Sequence, residues 1–251
     1  MIKNLNNKSI ERYSRQIILK NIGILGQKKL INSSVFVVGA GGLGCTVIDL
    51  LSRAGVGKIG IIDDDKISLS NIHRQSLYTT GDLKKYKVNV AKKVIKKINP
   101  KIKIKTFNNR LNENNIDKII KNYEILIDGS DNFRTKFLLN TYSIKKRKKL
   151  IIGAISKFEG HVFSFDFKNY KSSCLKCFYQ SIPSDDVLNC ENDGIIGTVA
   201  NTIGSIQANE AIKMILNIGK NLKSSILIFN ILNLEFRKIK FNKKNICVCK
   251  K

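Results

Sequence analysis

A chain of 251 residues, 43% hydrophobic and 25% charged, is long enough to bury one substantial core and excludes a collagen-like or disordered polymer. Two prolines and no glycine- or serine-rich tract leave no place for a flexible interdomain linker. The net charge of +26 invites a nucleic-acid reading, but the lysines are scattered and travel with abundant asparagine and isoleucine, the bias of an AT-rich genome.

In chain order, residues 9–31 have helical spacing, and 35–38 form a short β-branched run ending at the glycine cluster 39–44. A helix is expected from there to Ala54, then a strand at 58–62 closing on Asp63. This strand, glycine turn, helix and strand make a βαβ unit. The alternation continues with helices at 86–98, 116–121 and 132–146, and strands at 102–106, 124–127 and 150–155. Repeated βα units imply a mainly parallel sheet covered on both faces. From His161 the pattern alternates as an antiparallel strand does, and a loop-like region at 168–194 holds three of the six cysteines. A long helix at 198–218 and strands at 226–230 and 235–241 precede a polar tail. The expected fold class is α/β: a Rossmann-like mixed sheet, parallel in its N-terminal half and antiparallel in its C-terminal half, with helices on both faces.

Neither lysine-rich run, 101–105 or 145–149, is interleaved with the aromatic residues that stack bases, so nucleic acid is not the expected partner. A basic surface suits an acidic protein partner instead. The polar N-terminus lacks the apolar run of a signal peptide, and no stretch approaches the ~18 apolar residues of a membrane span. The expectation is a cytoplasmic protein without membrane contact, whose reduced cysteines serve metal binding or catalysis.

Gly39-Ala-Gly41-Gly42-Leu-Gly44 fits G-x-G-x-x-G between a strand and a helix, where glycines admit phosphate to a helix N-terminus. Asp63 is placed to accept ribose hydroxyls. The loop alone suits NAD as well as ATP, so an NAD-dependent oxidoreductase is the first alternative. The segment that follows points the other way. Three acids, Asp63 to Asp65, are followed by Ser70, Asn71, Arg74 and Gln75, with Lys87 beyond them. Hydride transfer has no use for several cations at the pyrophosphate, whereas adenylation needs them as pyrophosphate leaves. Asp131, just past the strand at 124–127, is placed as a Mg²⁺ ligand beside a triphosphate or as the cap of the next helix.

Arg12-Tyr-Ser-Arg15-Gln16, the glycine loop, Ser70-Asn71-Ile-His-Arg74-Gln75, Ser130-Asp131-Asn132, Cys174-x-x-Cys177, Cys190 and Gln207-Ala-Asn-Glu-Ala-Ile-Lys213 occur in one order. This ordered set resembles the ThiF/MoeB/HesA family, bacterial relatives of ubiquitin-activating enzymes, over essentially the whole chain. The resemblance implies one adenylation domain over 1–251, with a nucleotide-binding half at 9–155 and a carrier-binding half at 156–251 that holds a crossover loop. It implies ATP-dependent adenylation of the C-terminal Gly-Gly of a ubiquitin-like sulfur carrier, for thiamine or molybdopterin synthesis, with a sulfurtransferase or cysteine desulfurase as a further partner.

By the same resemblance Gly42 and Asp63 hold adenosine, and Asn71, Arg74 and Lys87 contact ribose and phosphates. Asp131, next to Asn132, supports Mg²⁺, and Arg15 reaches the triphosphate of a neighbouring subunit in a homodimer. Arg12 and Gln75 support the site. Within the family, tRNA threonylcarbamoyladenosine dehydratase is the alternative; a non-catalytic basic nucleic-acid binder is the alternative outside it. Cys174 and Cys177 have zinc-ligand spacing, and Cys247 with Cys249 would complete a four-cysteine Zn²⁺ site. This Cys-x-Cys tail is one residue shorter than the family's Cys-x-x-Cys. In some relatives a cysteine at the place of Cys190 attacks the acyl-adenylate; Cys45 reads as a core residue.

Overall fold

The computed structural model describes residues 5–169, 172–179, 181–183, 194–244, 247 and 249. One eight-stranded sheet organises them, in the order β3-β2-β1-β4-β5-β6-β7-β8. Five strands run parallel: β1 (Ser34–Val38), β2 (Lys58–Ile62), β3 (Lys103–Phe107), β4 (Ile125–Asp128) and β5 (Lys149–Ser156). β6 (Glu159–Asp166), β7 (Ser225–Asn230) and β8 (Glu235–Lys240) continue the sheet in antiparallel register. The expected mixed sheet, parallel first and antiparallel later, is the observed one.

The central strands β1, β2, β4 and β5, buried on both faces, require helices above and below. Val35, Val37, Ile59 and Ile61 face one core with α3 (Gly42–Ala54), α4 (Lys87–Ile98) and the long helix α8 (Gly197–Leu216). Phe36, Leu126, Leu150 and Phe163 face the other with α5 (Ile116–Ile120), α6 (Phe133–Lys145) and the short α7 (Leu175–Phe178). The residue alternation of these central strands thus divides them between two cores.

At the N-terminus the single helical stretch expected over 9–31 is two helices, α1 (Asn7–Ile17) and α2 (Gly23–Asn32). Gly23 takes φ +57°, a left-handed conformation that interrupts a continuous helix. Tyr13 of α1 accepts a hydrogen bond from Asn99 Nδ2 at 2.8 Å, so α1 lies against the C-terminal ends of α3 and α4. No described helix is long and apolar enough to cross a membrane.

Candidate nucleotide site

The parallel strands end together at a cleft of about 500 Å³, where the strand order reverses between β1 and β4. Such a switch point opens a crevice between diverging βα loops, the usual ligand position in sheets of this kind. The cleft brings together Gly39, Gly41, Gly42, Asp63, Asn71, Arg74, Lys87, Asp131 and Asn132. Ser70 and Gly44 are not on its wall, and neither is Arg15.

The glycine turn is held from several sides. Gly39 has φ +88°, and a Cβ at Gly44 would lie 2.0 Å from Gly39 O, so the turn closes only without side chains there. Ala40 N donates to Asp63 Oδ2 at 2.7 Å, while Ala40 O accepts from Tyr78 Oη at 2.8 Å and Cys45 Sγ at 3.3 Å. Cys45 is fully buried, and burial pushes its thiol up to about 12, as befits a core residue. Gly41 caps α3 without any side-chain hydrogen bond, which leaves the first-turn N–H groups and the positive end of a 13-residue helix for a ligand. A Cβ at Gly41 would meet nothing nearer than Gln75 Nε2 at 3.8 Å, so the space in front of this helix end is open.

Asp63 already serves the protein, since its Oδ1 also accepts the N–H of Asp65 at 2.9 Å. Each carboxylate oxygen keeps a second lone pair for a ribose hydroxyl. Burial raises the Asp63 pKa, and the Lys87 charge opposes that rise.

Lys87 is buried at the start of α4, with Nζ 2.7 Å from Asp65 Oδ2. Arg74 is tied by Nη1 to Ser70 O at 2.8 Å and lies 2.7 Å from His73 Nε2. Asn71 Oδ1 accepts the N–H of Ser68 and closes a 3₁₀ turn, so this residue shapes the segment as well as facing the cleft.

Asp131 is exposed at the cleft edge. The cap of α6 is its neighbour Asn132, whose Oδ1 accepts from Thr135 N at 2.9 Å. Cap duty does not occupy the Asp131 carboxylate. Beneath this loop lies a buried ion pair, Lys136–Asp128, with N···O 2.8 Å. Sequence reasoning passed over Lys136, Asp128 and Asp65 as site residues; the one signal available was Asp128 as the last residue of a buried strand.

Beside the cleft, a second hollow of about 650 Å³ is lined by His73, Phe158 and the segment 194–198. Cys190 lies outside the described residues.

Cys174 and Cys177, at α7, come together with Cys247 and Cys249 of the C-terminal tail, all four Sγ atoms within 4.8 Å of one another. Cys174 is 3.9 Å from Cys177 and 3.4 Å from Cys247, and Cys177 is 3.5 Å from Cys249. A tetrahedral Zn²⁺ with Zn–S near 2.3 Å needs edges of about 3.8 Å, and these three separations lie within a few tenths of an ångström of that.

The chain belongs to the ThiF family, whose model matches residues 13–250. It is 37% identical over 247 residues to the sulfur carrier protein adenylyltransferase of Thermus thermophilus, covering 96% of this chain and 91% of that protein. It is 40% identical over 248 residues to the adenylyltransferase and sulfurtransferase MOCS3 of Drosophila virilis. That match covers 98% of this chain but 55% of the fly protein, so the chain spans about half of it. The fold is similar to that of E. coli MccB, solved with ATP, at TM-score 0.83 and 22% identity over 98% of this chain and 75% of that one.

Proposed function

We propose that this chain uses ATP to adenylate the C-terminal carboxylate of a ubiquitin-like sulfur-carrier protein, for thiamine or molybdopterin synthesis. One observation carries the reading: Arg74, Lys87 and Asp131 share a cleft with the uncapped N-terminus of α3. That arrangement suits a triphosphate losing its outer two phosphates. A dinucleotide cofactor would need the glycine turn but not two cations and a surface carboxylate around it.

A carboxylate oxygen of the carrier's last glycine attacks the α-phosphorus, and the bond to the bridging oxygen breaks as pyrophosphate departs. No side-chain nucleophile is needed, because the step is one of positioning and charge. The α3 N–H groups hold phosphate oxygens at the reacting centre. Arg74 and Lys87 stabilise the charge growing on the leaving group, where preorganised donors are most effective. Asp63 holds ribose. Asp131 would hold Mg²⁺, which neutralises phosphate charge. The hollow beside His73 and Phe158 is a route for the carrier's tail.

Arg15 completes the site in a homodimer. It is exposed on α1, at the opposite end of α3 from its own cleft, and a 13-residue helix spans roughly 20 Å. The apolar surface beside it, with Ile18, Leu19, Ile24 and Leu25 all at least half exposed, is what a partner subunit would cover. The four-cysteine cluster would hold Zn²⁺, tying the tail to α7. Its reduced thiols fit a cytoplasmic protein working with a sulfurtransferase or cysteine desulfurase. Cys190 is a candidate for a later covalent step.

The test is direct. The protein is incubated with MgATP and each candidate Gly-Gly carrier, and the intact carrier mass is followed with pyrophosphate exchange. Addition of one AMP to the tail is expected. No cleavage between the first and second phosphates with any carrier overturns the reading, and exchange stimulated by tRNA but not by carriers transfers it to the dehydratase.

A further inference from the structure

We infer that Lys136 and Gln207 are positioning residues that grip the Asp131 loop from the two faces of the sheet. The inference rests on the adenylation reading for its chemistry, but the grip itself is geometric. Lys136, on α6, is 1% exposed, and its ammonium has three hydrogens to place. They go to Asp128 Oδ2 at 2.8 Å, Ser130 O at 2.7 Å and Gly153 O at 2.8 Å. One cation therefore ties the end of β4, the loop after it and the neighbouring β5. Asp128 returns the hold, since its Oδ1 accepts from Ser130 N at 3.1 Å and from Ser130 Oγ at 2.6 Å.

Gln207 reaches the same place from α8, across the sheet. It is fully buried, and its Nε2 donates to Asp128 O at 2.8 Å. Gly153 makes room for it, because a Cβ there would stand 2.6 Å from Gln207 Cδ and Oε1. The loop from Gly129 to Asp131 is thus fastened below by Lys136, above by Gln207, and at its base by Gly129 N donating to Val38 O at 2.8 Å.

A buried ion pair of this kind is weak evidence for stability, since desolvation offsets its attraction. What the fully placed Lys136 ammonium supplies, with three directional bonds, is a single geometry. Asp131 is the next residue after the fastened Ser130, and a misplacement near 1 Å at a reacting centre costs about 100-fold in rate. The network lies at the base of the loop that carries the metal-binding carboxylate. It fixes the backbone from which that carboxylate projects while leaving the nucleotide's other contacts alone.

Full-length wild type is compared with Ser130→Ala, Gln207→Leu and Lys136→Met. Carrier-dependent pyrophosphate exchange is read as kcat and KM for ATP. Amide hydrogen exchange across 129–132 is read without nucleotide. Ser130→Ala and Gln207→Leu should keep the wild-type melting temperature within a few degrees and lower kcat about 10-fold, with KM for ATP changed less than about 3-fold. Lys136→Met, where it folds, should lose about 100-fold in kcat. In each folded variant the loop amides should exchange at least about 10-fold faster.

Folded variants with wild-type kcat, or with unchanged loop exchange, overturn the inference. A fall in kcat matched by an equal rise in KM for ATP also overturns it, because a general loss of packing would give that. Should Lys136→Met not fold, Gln207→Leu and Ser130→Ala, which removes one hydroxyl, decide together. Should wild type adenylate no carrier, the reading of function fails, while the hydrogen-exchange arm still tests the grip.

Discussion

The Lys87 ammonium sits 2.7 Å from Asp65 Oδ2, yet the lysine side chain is 6% exposed and the aspartate 64%. Lys87 is held in the cleft wall, while its counter-ion lies mostly in water. Losing the pair costs Asp65 little, about 0–1 kcal/mol, as for exposed pairs. A bound phosphate competes for the same ammonium through charge-assisted hydrogen bonds worth roughly 1.5–3 kcal/mol. Lys87→Met should therefore melt within a few degrees of wild type and weaken ATP use by about 10–150-fold. Calorimetry and exchange kinetics on one preparation check both halves.

Arg15 gives a prediction about assembly. If it serves the partner's cleft, Arg15→Ala and Asp131→Ala are each inactive, but mixing them through unfolding and refolding restores activity. Half the dimers are then mixed and each has one intact site, so about a quarter of wild-type exchange returns. A mixture as silent as its parents shows that Arg15 does not act across an interface.

The glycine turn separates residues kept for folding from one kept for a ligand. Gly44→Ala forces a Cβ to 2.0 Å from Gly39 O, a backbone clash, and should destabilise the protein by more than about 2 kcal/mol. Gly41→Ala meets only the end of Gln75 at 3.8 Å, and φ −85° suits alanine. It should melt normally and still lose nucleotide affinity, since the methyl enters the space where phosphate approaches. Thermal melts with and without MgATP distinguish the two.

These contrasts show which features the sequence makes legible. β2 was expected at 58–62 and occupies Lys58–Ile62, because Gly57 and Asp63 punctuate a short apolar run. The glycine turn, Asp63 and Asp131 lie directly after strands and can be placed from the pattern, whereas Arg74 and Lys87 are singled out by the cation cluster and the family resemblance; all of them line one cleft. Lys136 and Asp65 are not. Among 45 lysines and arginines, one buried lysine carries no local mark, and its role depends on Gly153 O and Ser130 O arriving from elsewhere. The break between α1 and α2 was missed for a related reason: helical spacing persists across it, and only the backbone at Gly23 departs.

The sulfur cluster predicts its metal content. Protein purified without chelators should carry about one zinc per chain, the stoichiometry of a closed four-cysteine site. Cys247→Ser or Cys249→Ser should lose most of it. Stripping the metal should lower the melting temperature of wild type and leave that of the serine variants unmoved. Elemental analysis with parallel melts decides the point, and zinc-free wild type from such a preparation removes the site from the account.

Both borders of the sheet are guarded by charge. β3 shows Lys103 and Lys105 to solvent, and β8, exposed along its length, carries Arg237, Lys238 and Lys240. A second copy approaching strand to strand would set ammonium against ammonium or guanidinium, a repulsion that keeps open borders from growing into fibres. The proposed homodimer would then have to form elsewhere than on the backbone ladder, and the oily helical corner of α1 and α2 is the surface left to it.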